Sequence, residues 1–207
     1  NVLLEGLRIN GNKANNTGGV GIAMGGTGGT NIRVRKSYIW DCSADGMRFA
    51  GTTCVGIEAT NNYVTGCVSA GVTGDDTVTK FLFGDNHTWL NGTHGVGLIG
   101  TGIDGAIVHN VSWDNGQGTP NADNITFYNV ANRNIVAGQN ISRGGLNNGI
   151  HGGGAHITYI GNKVYSAHFY GISHDPSSGR NTDVIMNDNE AYGSGKSYRQ
   201  VALDLGI

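Results

Sequence analysis

Proline is nearly absent from this chain, with 2 in 207 residues, and cysteine is scarce at 3. So few cysteines exclude a small disulfide-stapled scaffold. Charge is thin as well: Asp, Glu, Lys and Arg make up 14% of the sequence and balance to −2, which leaves no basic footprint for nucleic acid. No apolar run of about 18 residues occurs, so no helix is expected to span a membrane. Long stretches of 3.6-residue periodicity are also missing, and helical repeats need them. Glycine, by contrast, is abundant at 37, and short β-branched runs are broken by Asn, Asp and Gly.

Those breaks recur. Asn12, Ser37, Asn62, Asn86, Asn110, Asn140, Asn162 and Asn189 follow one another at spacings of 22 to 30 residues, the range in which a fixed period decides the architecture. Five and three places before each, apolar residues alternate, as in Ile32/Val34, Ile57/Ala59 and Phe81/Phe83. That is strand periodicity. A second column of Gly plus an apolar residue follows, with Ile22, Met47, Val72, Leu98, Ile125, Ile150, Ile172 and Val201 as its inward members. Stacked coils set equivalent residues about 4.8 Å apart, so an inward Asn can bond the Asn above and below it and satisfy buried polarity that a single Asn could not. The pattern predicts an all-β chain, a parallel β-helix of about eight rungs with an internal Asn ladder, in one domain over residues 1–207. The chain opens and ends inside a rung without a polar cap, and this is the pattern of a segment of a longer chain.

The Asn ladder, the Gly-Ile strand starts and the coil of about 25 residues resemble the right-handed parallel β-helix of the pectate-lyase-like superfamily over essentially the whole chain. That group includes polysaccharide lyases, glycoside hydrolases, mannuronan C5-epimerases and phage tailspikes, so the resemblance implies a fold more firmly than an activity. "NKVYSAHFYGI" at 162–172 is similar to a rung of the C5-epimerases, but their Asp-Pro-His-acid stretch is absent; His174-Asp175-Pro176 is the nearest sequence. The resemblance implies a protein outside the cell, secreted or on a virion surface, and a polysaccharide partner.

The outward columns are where chemistry is expected. Trp40, Trp89 and Trp113 share one of them with Tyr165 and Tyr192; Trp89 and Trp113 are candidates for stacking on sugar rings, or for packing against another chain. On the face of the Gly-apolar strands, the resemblance places the floor of a polysaccharide cleft. Its polar members gather on late rungs: Asp123, Tyr128, Asn148, His151, Tyr170 and Asp175, with Arg180 on the loop that follows. The set suits β-elimination on a uronate, which needs a neutralised carboxylate, a base and an acid. Arg180 or Asn148 would neutralise, His151 would take the proton, Tyr170 would donate one, and Asp123 or Asp175 would orient the histidine. A hydrolase would instead use Asp123 and Asp175 as its carboxylate pair. A carbohydrate- or receptor-binding shaft and a structural fibre segment are the readings without catalysis. No Ca²⁺ motif or metal-ligand spacing is present, so no cofactor is expected, with Ca²⁺ left open as the one alternative. His174 falls inward above Gly152 and is read as structural. Cys42 and Cys67 occupy one place in adjacent coils, which leaves a disulfide between them open. The outward apolar residues Leu82, Ala106, Val108, Val136, Ile160 and Ile185 point to a side covered by neighbouring domains or by a homotrimer.

Overall fold

The computed structural model describes residues 1–26, 29–119, 122–127, 129, 131–175 and 183–200, the last five by backbone alone. Every ladder between strands is parallel, and the strands fall into three sheets of nine, eight and eight members. The chain is a right-handed parallel β-helix, each rung contributing a strand to each sheet in turn. Among the described residues no helix is long and apolar enough to cross a membrane.

The first sheet runs from Val2–Glu5 to Ile185–Asn187 and the second from Arg8–Asn10 to Glu190–Tyr192. The third runs from Ile22–Met24 to Lys196–Gln200. Alternation decides the core. Ile57, Phe83, Ile107, Ile135 and Ile157 from the first sheet meet Met47, Phe49, Ile125, Phe127 and Ile150 from the third, all at most 1% exposed. Volume is traded between rungs: a Cβ on Gly105 would lie 2.1 Å from the Phe81 ring, so the phenylalanine fills the space that the glycine leaves.

The Asn ladder turns the corner between the first and second sheets. Asn62, Asn86, Asn110, Asn140, Asn162 and Asn189 each accept, through Oδ1, the backbone N–H of the preceding rung. From Asn62 onward, each Nδ2 that precedes another Asn also donates to that neighbour's Oδ1, at 2.8–3.0 Å. The residue just before the ladder position is left-handed in rung after rung, at Lys36, Asn61, Asp85, His109, Gln139 and Asp188. Asn and Asp tolerate that conformation best among residues with a Cβ, which accounts for the paired "NN" and "DN" spellings.

Three positions are corrected. The first rung places Leu7, not Asn12, beside Ser37: Tyr38 N–H donates to Leu7 O and Leu7 N–H to Ser37 Oγ. In the fourth rung Val96, not Leu98, pairs with Val72 and Ile125. Leu98 is inward too, one alternation later. In the last rung Tyr198 lies beside Ile172, and Val201 falls outside the described residues. His174 is inward as expected, 2% exposed and paired in register with Gly152. Its Nδ1 lies 2.8 Å from the Tyr159 hydroxyl, in the space that Gly152 leaves open. Cys42 and Cys67 are free and buried. Val136, Ile160 and Ile185 are exposed on the first sheet.

A second ladder was not anticipated. At the corner between the second and third sheets, Asn91, Asn115 and Asn124 hand one another the same bonds, and Cys67 N–H donates to Asn91 Oδ1.

Candidate active site

The third sheet carries the candidate site. His151 is the middle residue of strand Ile150–Gly152; its neighbours point into the core, so its ring points out. Asp123 stands two residues before Ile125 and Asn148 two before Ile150, one above the other on adjacent rungs. Tyr170 opens the next strand, Tyr170–His174, and Asp175 follows its end.

Asp123 organises the group. It is 1% exposed, and both of its oxygens are engaged. Oδ1 accepts the backbone N–H and the Nδ2–H of Asn148, each at 2.9 Å. Oδ2 lies 3.1 Å from His151 Nδ1. A buried carboxylate with both oxygens acting as acceptors orients an imidazole by accepting a hydrogen bond from its Nδ1–H. The Asp123 backbone N–H donates to His94 Nδ1 at 3.1 Å. The same Nδ1 lies 3.3 Å from the Asp123 carbonyl oxygen, so the imidazole packs against both polar groups of that residue's backbone. Burial holds the His94 imidazole below its ordinary 6.5, with the Asp123 charge acting in the opposite direction.

The cavity beside His151 has a volume of about 340 Å³ and is lined by Asn148, His151, Phe169, Tyr170, Ser173 and Asp175 among others. His151 keeps 20% of its side chain exposed there. The structure thus brings together His151, Tyr170, Asp175 and Asn148, with Asp123 beneath them. Tyr128 and Arg180 lie outside the described residues. Asn148 differs from its expected role: one amide N–H is turned onto Asp123, and its Oδ1 is buried without a hydrogen-bond partner. Asp123 differs from its role as a hydrolytic carboxylate, because its oxygens are committed to Asn148 and His151 and are closed off from solvent. Among the described residues no cluster of His, Cys, Asp and Glu could hold a metal ion.

Sequence reasoning missed His94. It belongs to the outward column of Asp123 and Asn148, two residues before Val96. Choosing Leu98 for that rung put Val96 in the column instead. Correct phasing of "HGVGLIG" was the signal that would have found it.

Trp89 and Trp113 lie elsewhere, on the second sheet, half-buried. Their rings are parallel to within 3° with centroids 5.0 Å apart. Rings side by side in one plane would collide at that distance, so these overlap face to face in the offset manner. Each ring therefore covers part of its neighbour's flat face. A neighbouring outward column adds Tyr38, Tyr63 and His87, with Tyr63 and His87 stacked at 4.8 Å.

No protein-family model matches this sequence, and no curated protein matches it. Solved structures match its fold. A double-mutant form of the periplasmic alginate epimerase AlgG aligns with a TM-score of 0.68 at 16% identity, over 87% of this chain and 48% of that one. The Streptococcus pneumoniae surface protein and adhesin PfbA aligns at 0.58 with 14% identity, over 82% of this chain and 48% of the other. The enzymatically active domain of bacteriophage CBA120 tailspike protein 2 aligns at 0.56 with 14% identity, over 95% and 31%. This chain spans about half the length of the first two. At these identities the likeness is one of fold.

Proposed function

We propose that this chain is an extracellular polysaccharide-active β-helix that cleaves an acidic polysaccharide by β-elimination at the His151 cavity. The observation that carries the reading is the His151 imidazole, anchored through Nδ1 on buried Asp123 at 3.1 Å, in a cavity that Tyr170 also lines. The fold shared with an alginate epimerase supports the substrate class.

In this reading Asp123 fixes the tautomer, so the basic nitrogen of His151 is Nε2. That atom removes the proton from C5 of a bound uronate; the C–H electron pair becomes the C4=C5 double bond as the C4–O bond breaks. Tyr170 gives its hydroxyl proton to the departing oxygen. Arg180 remains the candidate for neutralising the uronate carboxylate, and Asp175 lines the subsite. Hydrolysis is the weaker reading, because Asp123 cannot reach a sugar while both of its oxygens are held.

Incubation with acidic and neutral polysaccharides, followed by ultraviolet absorbance of the unsaturated product and by reducing ends, tests this. Absorbance on a uronate polymer that disappears in His151→Ala is the expected result. Reducing ends without absorbance would make the protein a hydrolase and overturn the mechanism. The aromatic second sheet favours one further reading, a carbohydrate-binding shaft; retention of polysaccharide with neither signal would select it.

A further inference from the structure

We infer that the corner between the first and second sheets, on the first three rungs, is a separate binding site for the acidic group of an anionic oligosaccharide. It shares a substrate class with the proposed elimination and none of its residues. A cavity of about 570 Å³ opens there, lined by Arg8, Lys36, Tyr38, Asn61 and Tyr63 among others. These residues come from three successive rungs, so the cavity lies along the side wall of the solenoid. Its volume is within the ordinary range for small-ligand sites.

Charge identifies the ligand's sign. Lys36 and Arg35 share one carboxylate, Glu5, at 3.0 and 3.2 Å. Arg8 is exposed and has no acidic partner among the described residues. Arg8 and Lys36 are thus the charged residues of the cavity lining, which includes no carboxylate, in a chain whose overall charge is −2. The guanidinium fork matches a carboxylate or a sulfate, taking two oxygens at once.

The aromatic neighbours identify the rest of the ligand. Arg8 pairs in register with Tyr38, and Tyr38 with Tyr63, so cation and rings form one outward column. The Tyr38 and Tyr63 rings are 6.5 Å apart and tilted by 45°, and Tyr63 is 46% exposed. Tyr63 gives one face to His87, stacked at 4.8 Å, and its tilt against Tyr38 opens the other toward Arg8, so a sugar ring laid there brings its acidic substituent to the guanidinium. The Asn61 amide, at the corner, can bond a ring hydroxyl.

The test is calorimetric titration of the 207-residue chain, in a His151→Gln background that prevents turnover. The probes are an oligouronate, a sulfated neutral oligosaccharide of equal length and the unsulfated neutral parent. Arg8→Gln should weaken binding of whichever acidic probe binds by about tenfold, the loss of one charge-assisted contact, and leave the neutral parent unaffected. The two acidic arms tell carboxylate from sulfate recognition. Tyr63→Ala should weaken the same probe, with thermal melts confirming that both variants fold. Equal affinity in Arg8→Gln and its parent, binding of neither acidic probe, or an equal loss for the neutral sugar would each overturn the site. Elimination is read separately, on the chain with His151 intact: Arg8→Gln should turn over short uronates at the parent rate. Arg8-dependent binding in a protein that shows no elimination would sink the catalytic reading and leave this one standing.

Discussion

Asp123→Asn changes one atom in a buried side chain, and the geometry around it sets the consequence. The amide keeps an oxygen for the backbone N–H and Nδ2–H of Asn148, which now meet the carboxylate at 2.9 Å. The new NH₂ group then faces His151 Nδ1, 3.1 Å from the atom it replaces. A donor in that place demands an acceptor, so His151 must move its proton to Nε2. The nitrogen proposed to take the C5 proton is thereby already protonated. Tautomer reversal of this kind in an Asp–His pair costs about 10⁴-fold in kcat. Stability should change little, by about 1–2 kcal/mol, since the acceptor bonds survive and only their charge assistance is lost. The assay is the rate of unsaturated product on the polymer found by the polysaccharide panel, with kcat and KM separated. A fall in kcat with KM unchanged is expected, because Asp123 lies beneath the cavity floor and acts through His151. Activity within about tenfold of the parent would refute the role given to Asp123. Loss confined to KM would refute it also, by making Asp123 part of the binding surface.

The remaining expectations concern the scaffold. Asn110→Ala orphans Phe83 O and Asn86 N–H, bonded now at 2.9 and 3.1 Å inside the ladder; with about 1–3 kcal/mol for each buried group, the urea midpoint should fall by the equivalent of about 2–6 kcal/mol, and a loss under about 0.5 would show that water replaces the amide. For His94, burial makes the folded chain bind fewer protons than the unfolded chain near the ordinary value of 6.5. Its contribution to stability is therefore full above that value and lost as pH falls toward the lowered folded value; His94→Gln should flatten that part of the stability–pH curve, and an unchanged curve would assign the slope to another group. Gly152→Ala would set a Cβ 2.0 Å from the Tyr159 hydroxyl, so a loss of about 1–3 kcal/mol by overpacking is expected in thermal unfolding.

The repeat was legible because a buried amide column tolerates little substitution, while the strands around it need only apolar residues at alternate places. Phasing failed where that demand relaxes. In the first rung no earlier Asn precedes the ladder, and Leu7 fills the position beside Ser37, so the nearby Asn12 drew the reading five residues along. In "HGVGLIG" both Val96 and Leu98 face inward, and alternation alone assigns neither to the paired position. The preserved step of ten residues from Asn86 would have chosen Val96 and exposed His94. For the site, outward direction followed from alternation at His151 and Tyr170. The bonds among them did not, because they cross rungs and depend on which rotamer each neighbour permits. The tryptophans make the same point: the column was visible, but not that the rings would cover each other's faces.

The location of the site follows from an interruption in the scaffold. Asn91 and Asn115 form the second ladder, and the next rung supplies Gly145, which has no amide. The gap is filled from the end of the inserted segment that precedes the third sheet. Asn124 reaches across: its Oδ1 accepts from the backbone N–H and Nδ2–H of Asn115, and its Nδ2 donates toward Ser142 Oγ, Arg143 O and Gly144 O. A Cβ on Gly145 would lie 3.1 Å from that Nδ2, so the glycine makes room for the substitution. Asn124 O accepts from Gly95 N, Val96 N and Ser112 Oγ as well. A residue fixed by so many partners fixes its neighbour. Asp123 is held one peptide away, with its N–H on His94 and its carboxylate between Asn148 and His151. An insertion that merely looped out would have left that acid mobile in solvent. Ending on an amide that completes the ladder instead places a buried, oriented carboxylate under an outward histidine, and the same residues that close the core there build the candidate site.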